Sequence, residues 1–297
     1  MLEIKELDSW DEYERISKQT LIGEDYYWSP KYTIFRGQPN ANWELTTTLE
    51  RAIGENMLAE NYYRIITGME NKIETFTGQK WNLPKFEELN KQIKENHKID
   101  DQVFNYLTYL RHFGFPTPLL DWTKSPLIAA NFAFKDIANS ALPNPPEKVA
   151  IYMCVLELFE NTHILVDDIP QISAIIKSPR NNKRHELQQG TYTICLKEQN
   201  EKIYFSNHEK LEKNDMYFPH ITKFIIPASE RLNALQSLKM YNVNPYSLLG
   251  TEESLLESLF LAEYLNAQIH KSKLEDFEKK GIYEKAKYDR DDINTIW

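Results

Sequence analysis

The chain has 297 residues, 41% apolar and 12% aromatic, which is enough for a sizeable core and excludes wholesale disorder. Its formal net charge of −9 argues against non-specific nucleic-acid binding, which needs a basic field. No run approaches about 18–20 apolar residues and the N-terminus lacks a secretory pattern, so no membrane span is expected and the expected location is the cytoplasm.

Leu2 and Ile4 alternate, and a short helix through Trp10, Tyr13 and Ile16 follows a cap at Asp8 or Ser9. Tyr32–Phe35 reads as a strand ending at Gly37 and Pro39, with Trp43–Leu49 as an extended return. Apolar residues at three- and four-residue steps predict a helix over 55–76, and the more polar 84–96 predicts an exposed one. Asp100 or Asp101 starts a helix that Gly114 stops, and Ser125-Pro126 starts the next, as N-cap and first helical residue.

Leu142–Pro146 is the clearest loop, and after it the texture turns to strands. Runs at Val149–Leu158, Thr162–Val166, Thr191–Leu196, Lys202–Phe205 and Ile221–Ile226 predict a sheet. Cys154 and Cys195 fall in two of these runs and read as small core residues of a reduced protein. Residues 228–241 and 252–268 return to helical spacing, ahead of a charged tail. The fold class is therefore α+β: a helical N-terminal half packed on a mainly antiparallel sheet contributed largely by the second half. Three segments are expected: 1–29 helical, 30–260 the main domain, and 261–297 a charged helix or tail.

There is no Walker-type loop, GxGxxG, HExxH or GxSxG, and no metal-ligand spacing among the seven histidines and two cysteines. The chemistry gathers elsewhere. Arg36 ends an apolar run just before Gly37, and its planar, permanently charged fork suits phosphate or carboxylate. Asp121-Trp122-Thr123 lies between two leucines and the helix start at Ser125. Asp121 must therefore have a partner: Arg36, His112 or the helix N–H groups, whose positive end also suits a phosphate. Glu186 and Gln188, read as an extended segment, fall on one side of the chain. For each there is a bland alternative: an Arg36–Asp121 pair, capping by Ser125, and a polar strand edge.

Four segments then resemble the FRG-domain family, named for its Phe/Tyr-Arg-Gly motif. They are Ile34–Gln38 with Trp43 and Arg51; His112–Thr117 running into Leu119–Thr123; Ser125-Pro126 with Phe132-Ala133; and Arg184 with Gln188–Tyr192. The chain departs from the family's pattern twice. Arg111 stands before His112 where the family has Gln, and Pro118 stands where it has Arg.

A looser likeness is to ADP-ribosyltransferases. It implies an ADP-ribosyltransferase-like core and NAD as substrate, with Arg36 holding phosphate or ribose, Thr123 and Ser125 lining a nicotinamide pocket, and Glu186 or Gln188 supporting the oxocarbenium-like centre. Gln38, His112, Asp121 and Trp122 complete the expected ligand-binding set. The alternatives are a non-catalytic nucleotide- or ligand-binding module in sensing, regulation or defence, and a structural cluster of Arg36, Asp121, Trp43 and Trp122 with no ligand.

Overall fold

Alternation along Thr33–Gln38 sets the layering of the protein. In the computed structural model, which describes residues 2–22, 33–96, 99–135, 146–156, 168–175, 183–210 and 220–279, Phe35 is almost wholly buried and Gly37 lies under a helix. Ile34, one step away, belongs to an apolar cluster with Leu45, Trp122 and Tyr152 on the opposite face.

The elements follow in chain order as β1 (Leu2–Glu6), α1 (Trp10–Ile22), β2 (Thr33–Gln38), α2 (Thr48–Ile53), α3 (Ala59–Thr77), α4 (Phe86–Asn96) and α5 (Asp101–His112). Next come β3 (Leu120–Thr123), α6 (Pro126–Phe134), β4 (Lys148–Val155), β5 (Gln171–Ile175), α7 (Lys183–Leu187) and β6 (Gly190–Gln199). The last are β7 (Lys202–Phe205), β8 (His220–Pro227), α8 (Arg231–Met240), α9 (Pro245–Leu249) and α10 (Glu252–Lys279). Among the described residues, eight strands form one sheet in the order β1-β8-β4-β2-β3-β6-β5, with β7 also on β6. The β1–β8 pair is parallel and all the others are antiparallel. Five of these strands follow residue 147, so the sheet comes largely from the second half. The α+β class holds.

Helices α1 and α6 cover the β2–β4–β8 part, where Trp10 meets Phe134 edge-on at 6.0 Å and Tyr13 meets Phe224 at 5.8 Å. Helices α3, α4 and α5 cover β6 and β7 through Tyr62 against Phe205 and Phe104 against Tyr192. Helix α6 carries Ala129, Ala130 and Ala133, all fully buried, and this small-residue surface lies directly on β2. Burying such apolar faces is the main stabilising term of a layered domain.

Several local expectations hold. Asp100 caps α5 by accepting from the N–H groups of Gln102 and Val103, and Ser125 caps α6 with Pro126 inside its first turn. Cys154 and Cys195 are free, buried thiols. Others are corrected. Trp43–Leu49 is not an extended return, because Thr47 and Glu50 form a reciprocal capping box that starts α2 at Thr48. Helix α4 is not merely exposed, since Leu89 and Ile93 are buried against α3 and α5. The strand expected at Thr162–Val166 and most of the Leu142–Pro146 loop lie outside the described residues.

By compactness the chain divides into Met1–Ala234, which holds the sheet, and Leu235–Trp297. In the second unit Asn244 caps α9 with Pro245 at its first turn, and Gly250 ends it at φ 65°. Ser258 of α10 donates to Asn244 Oδ1 at 3.2 Å and accepts from Tyr246 N–H at 2.8 Å, which ties α10 to α9.

Candidate functional site: a cationic cleft where the sheet divides

Strands β2 and β3 pair at a single register position, Phe35 opposite Thr123. Beyond it β2 keeps to β4 as far as Gln38 opposite Ala150, while β3 keeps to β6 as far as Leu120 opposite Thr193. The sheet therefore opens like a wedge just past Phe35, and Arg36 and Asp121 stand on its two sides. The wedge is the inner end of a cleft of about 810 Å³.

Gly37 explains why β2 sits so low. A Cβ there would lie 1.8 Å from the Ala129 carbonyl oxygen and 2.7 Å from the Ala133 nitrogen, so any side chain would lift α6 off the strand. Arg36 is thereby held at the bottom of the cleft with its side chain 18% exposed. Its Nη1 donates to the Asp121 carbonyl oxygen at 2.8 Å and lies 3.9 Å from Asp121 Oδ2. Its buried Nε has no hydrogen-bond partner among the described residues. Burial lowers the Arg36 pKa from its ordinary value; Asp121 opposes this, and the nearby Arg111 and Arg51 add to it.

The main partner of Asp121 is Arg111, the penultimate residue of α5. Arg111 grips the carboxylate with two prongs: Nε donates to Oδ1 at 2.7 Å and Nη2 to Oδ2, while Nη1 donates to Thr48 Oγ1 at 2.8 Å. Burial works to raise the Asp121 pKa. The hydrogen bonds and charge of Arg111, then the charges of Arg36 and Arg184, outweigh it and leave the group below its usual range. Burial likewise works against the Arg111 charge, and Asp121 more than offsets it. Among the described residues, Arg36, Arg111 and Arg184 line the cleft against the one carboxylate of Asp121, so their local balance is positive in a chain of net charge −9. Among the described residues no group of three or more His, Cys, Asp and Glu converges as metal ligands would.

Of the residues singled out from sequence, Arg36, His112, Asp121, Trp122, Thr123 and Gln188 line this cleft. Their roles differ. Trp122 is buried and spends its indole N–H on Thr193 Oγ1 at 2.7 Å. Thr123 Oγ1 donates to the Gln188 carbonyl at 2.8 Å and accepts from Ser125 N–H at 3.1 Å, pinning two turns together. Gln188 brings a buried side-chain amide nitrogen with no partner among the described residues. His112 is exposed at the rim and is not a partner of Asp121.

Three expected residues are not among those lining the cleft. Ser125 is the α6 cap. Gln38 is buried and donates from Nε2 to the Glu44 carbonyl at 3.3 Å, serving the loop beside the cleft. Glu186 is exposed on α7, which corrects the reading of 186–188 as an extended segment. Gln188 N–H closes a helical turn onto the Arg184 carbonyl, and Gln189, at φ 47°, turns the chain into β6. The His185 ring fills the space a Cβ on Gly190 would take and stacks on Tyr192 at 5.4 Å.

Arg111 and Arg184 are the cationic groups that the candidate set missed. A signal existed for Arg111, because it stands just before the Gly114 turn that folds the chain back toward Asp121. Trp43 and Phe132 also line the cleft; both fall in the segments that resemble the FRG family, though neither was in the expected ligand-binding set.

The protein is thus defined by an α+β domain whose divided sheet opens onto a small cationic cleft. Residues 31–141 match the family model of the FRG domain, so the chain carries an FRG domain over that stretch. The match takes in Arg36, Trp43, Arg111, Asp121 and all of α6, while the Arg184–Tyr192 wall lies beyond it. No curated protein and no solved structure matches the chain. No described helix is long and apolar enough to cross a membrane.

Proposed function

We propose that the cleft binds a phosphorylated nucleotide, with NAD and its relatives as the first class to test. The carrying observation is Arg36. Its charge is held at the inner end of the cleft, part of its donor fork is without a protein partner among the described residues, and the local balance is positive. Phosphate matches that fork in geometry and charge. The cavity volume falls within the ~300–1,000 Å³ common to small-molecule sites. The net charge of −9 favours a small anion over a polynucleotide as partner.

The test is thermal melting with ADP, NAD and inorganic pyrophosphate. A ligand present at 100 times its Kd stabilises the folded state by about 2.7 kcal/mol. The variant Arg36→Gln should bind ~10- to 100-fold more weakly, the scale of a lost hydrogen bond to a charged group. No shift of the wild type with any nucleotide at millimolar concentration would overturn the reading.

A second reading, transfer of ADP-ribose or hydrolysis of NAD, is favoured by Arg36, Thr123 and Gln188 lining one cleft. It ranks second for two reasons. Gln188 carries no charge to stabilise a cationic centre, and the cleft's own carboxylate is engaged by Arg111. Nicotinamide released from NAD by the wild type and not by Arg36→Gln would promote this reading to first.

A further inference from the structure

Trp43 is 53% exposed, yet the chain that carries it is held firmly from below. Its carbonyl oxygen accepts from Tyr152 Oη at 3.1 Å and from Lys223 Nζ at 3.5 Å. Tyr152 is fully buried, and its hydroxyl also meets Glu209 Oε1 at 3.0 Å, while Lys223 lies 5.1 Å from the centre of its ring. The same Glu209 oxygen accepts Leu45 N–H at 2.9 Å, Gln38 holds the Glu44 carbonyl, and Ala41 N–H bonds to the Lys148 carbonyl at 2.9 Å. A loop tied at this many points does not need its tryptophan for the core. Ordinarily a large exposed indole costs apolar surface left in water.

Among the described residues, the other Phe, Tyr and Trp rings lining the cleft are already committed. Phe35 and Trp122 are buried in the sheet layers, and Tyr192 is covered by His185 and Phe104. Phe132 is half-buried, with Lys135 Nζ 5.7 Å from its ring centre. Among these described rings Trp43 is the one left largely exposed, in a cleft whose inner end carries the phosphate-matching arginine.

We infer that Trp43 is the base platform of the cleft: its indole stacks on the planar base of a nucleotide whose phosphates lie toward Arg36. The inference rests on the nucleotide reading above and adds to it a requirement for an aromatic base. Stacking of this kind is tolerant of base identity, because every base has a π-face.

The experiment is calorimetric titration of the full chain with two probes, ADP and inorganic pyrophosphate, in the wild type, Trp43→Ala and Trp43→Phe. The expected result is a loss of ADP affinity of about 5- to 150-fold in Trp43→Ala. Pyrophosphate affinity should be unchanged, and Trp43→Phe should recover most of the ADP affinity. Equal weakening of both probes would overturn the inference, because the substitution would then act on the loop and not through stacking. Unchanged ADP binding in Trp43→Ala, with a wild type that binds ADP, would overturn the platform and leave the nucleotide reading standing. A wild type that binds neither probe removes the nucleotide reading itself, and the platform with it.

Discussion

Asp121 combines a partly open carboxylate, its side chain 42% exposed, with a two-pronged grip from Arg111. Asp121→Asn keeps the shape and gives up the charge. Breaking a fully buried pair costs ~3–5 kcal/mol, and solvent screening at this exposure reduces the expectation to about 1–3 kcal/mol. Urea unfolding at neutral pH measures it. The pH dependence has a definite sign. The folded-state pKa is lowered, so the stabilisation is complete above the unfolded value of ~3.9 and is lost as pH falls below it. The variant should lack that part of the acid loss. A variant as stable as the wild type at pH 7 would mean that Arg111 and Asp121 gain nothing net from each other. Of the polar-aromatic cluster expected from sequence, Arg36 and Asp121 are in contact and Trp122 is buried, whereas Trp43 is largely exposed.

Between α6 and β2 the controlling quantity is distance. The approach allowed by Gly37 and the alanines of α6 places Arg36 at the wedge, so the Arg-Gly pair acts as one device: the glycine sets the depth and the arginine supplies the charge. Gly37→Ala should destabilise by about 3 kcal/mol or more, at the upper end of overpacking costs, because the obstructing atoms belong to the Ala129 and Ala133 backbone and cannot rotate away. A melting curve of the variant checks this, and a change of under about 1 °C would show that α6 moves freely on the strand. Helix α7 is the element at the cleft where local reasoning failed. Alternation in His185–Gly190 suggests a strand, but the hydrogen bond from Gln188 N–H to the Arg184 carbonyl closes a helical turn, which sends Glu186 outward and Gln188 inward.

Taken as one cooperative unit, the sheet-bearing part of the chain should lose stability in mild acid through its buried histidines. His208 is fully buried, its Nε2 is 2.9 Å from Thr193 Oγ1, and burial, then the Arg36 charge, push its pKa down to about 3. The unfolded value is ~6.5, so stability is undiminished above that pH and declines between there and pH 3, by up to ~1.4 kcal/mol per pH unit. His185, lowered chiefly by burial, adds in the same direction. Chemical denaturation at pH 7.5, 6 and 5 should show the decline, and His208→Gln should flatten it. Equal stability of the wild type at pH 7.5 and 5 would contradict the neutral burial of His208.

Much of the fold was legible because it rests on local rules. Helical spacing, the Asp100 and Ser125 caps and β-branched runs each report a preference that the tertiary structure kept. Residue identities at the cleft were legible in part, since an arginine before a glycine and an aspartate among leucines are costly unless something uses them. By itself the sequence determined the α+β class, the overall acidity and the singling out of Arg36 and Asp121, which the structure places inside β2 and β3. The tertiary structure alone decided which charges meet: that Arg111 takes Asp121, that Arg36 keeps donor capacity, and that Trp43 faces solvent while Glu186 stays outside the cleft lining. The physical reason is that partners such as Arg36 and Asp121 lie 85 positions apart, and their meeting depends on where a sheet divides, which no local preference encodes.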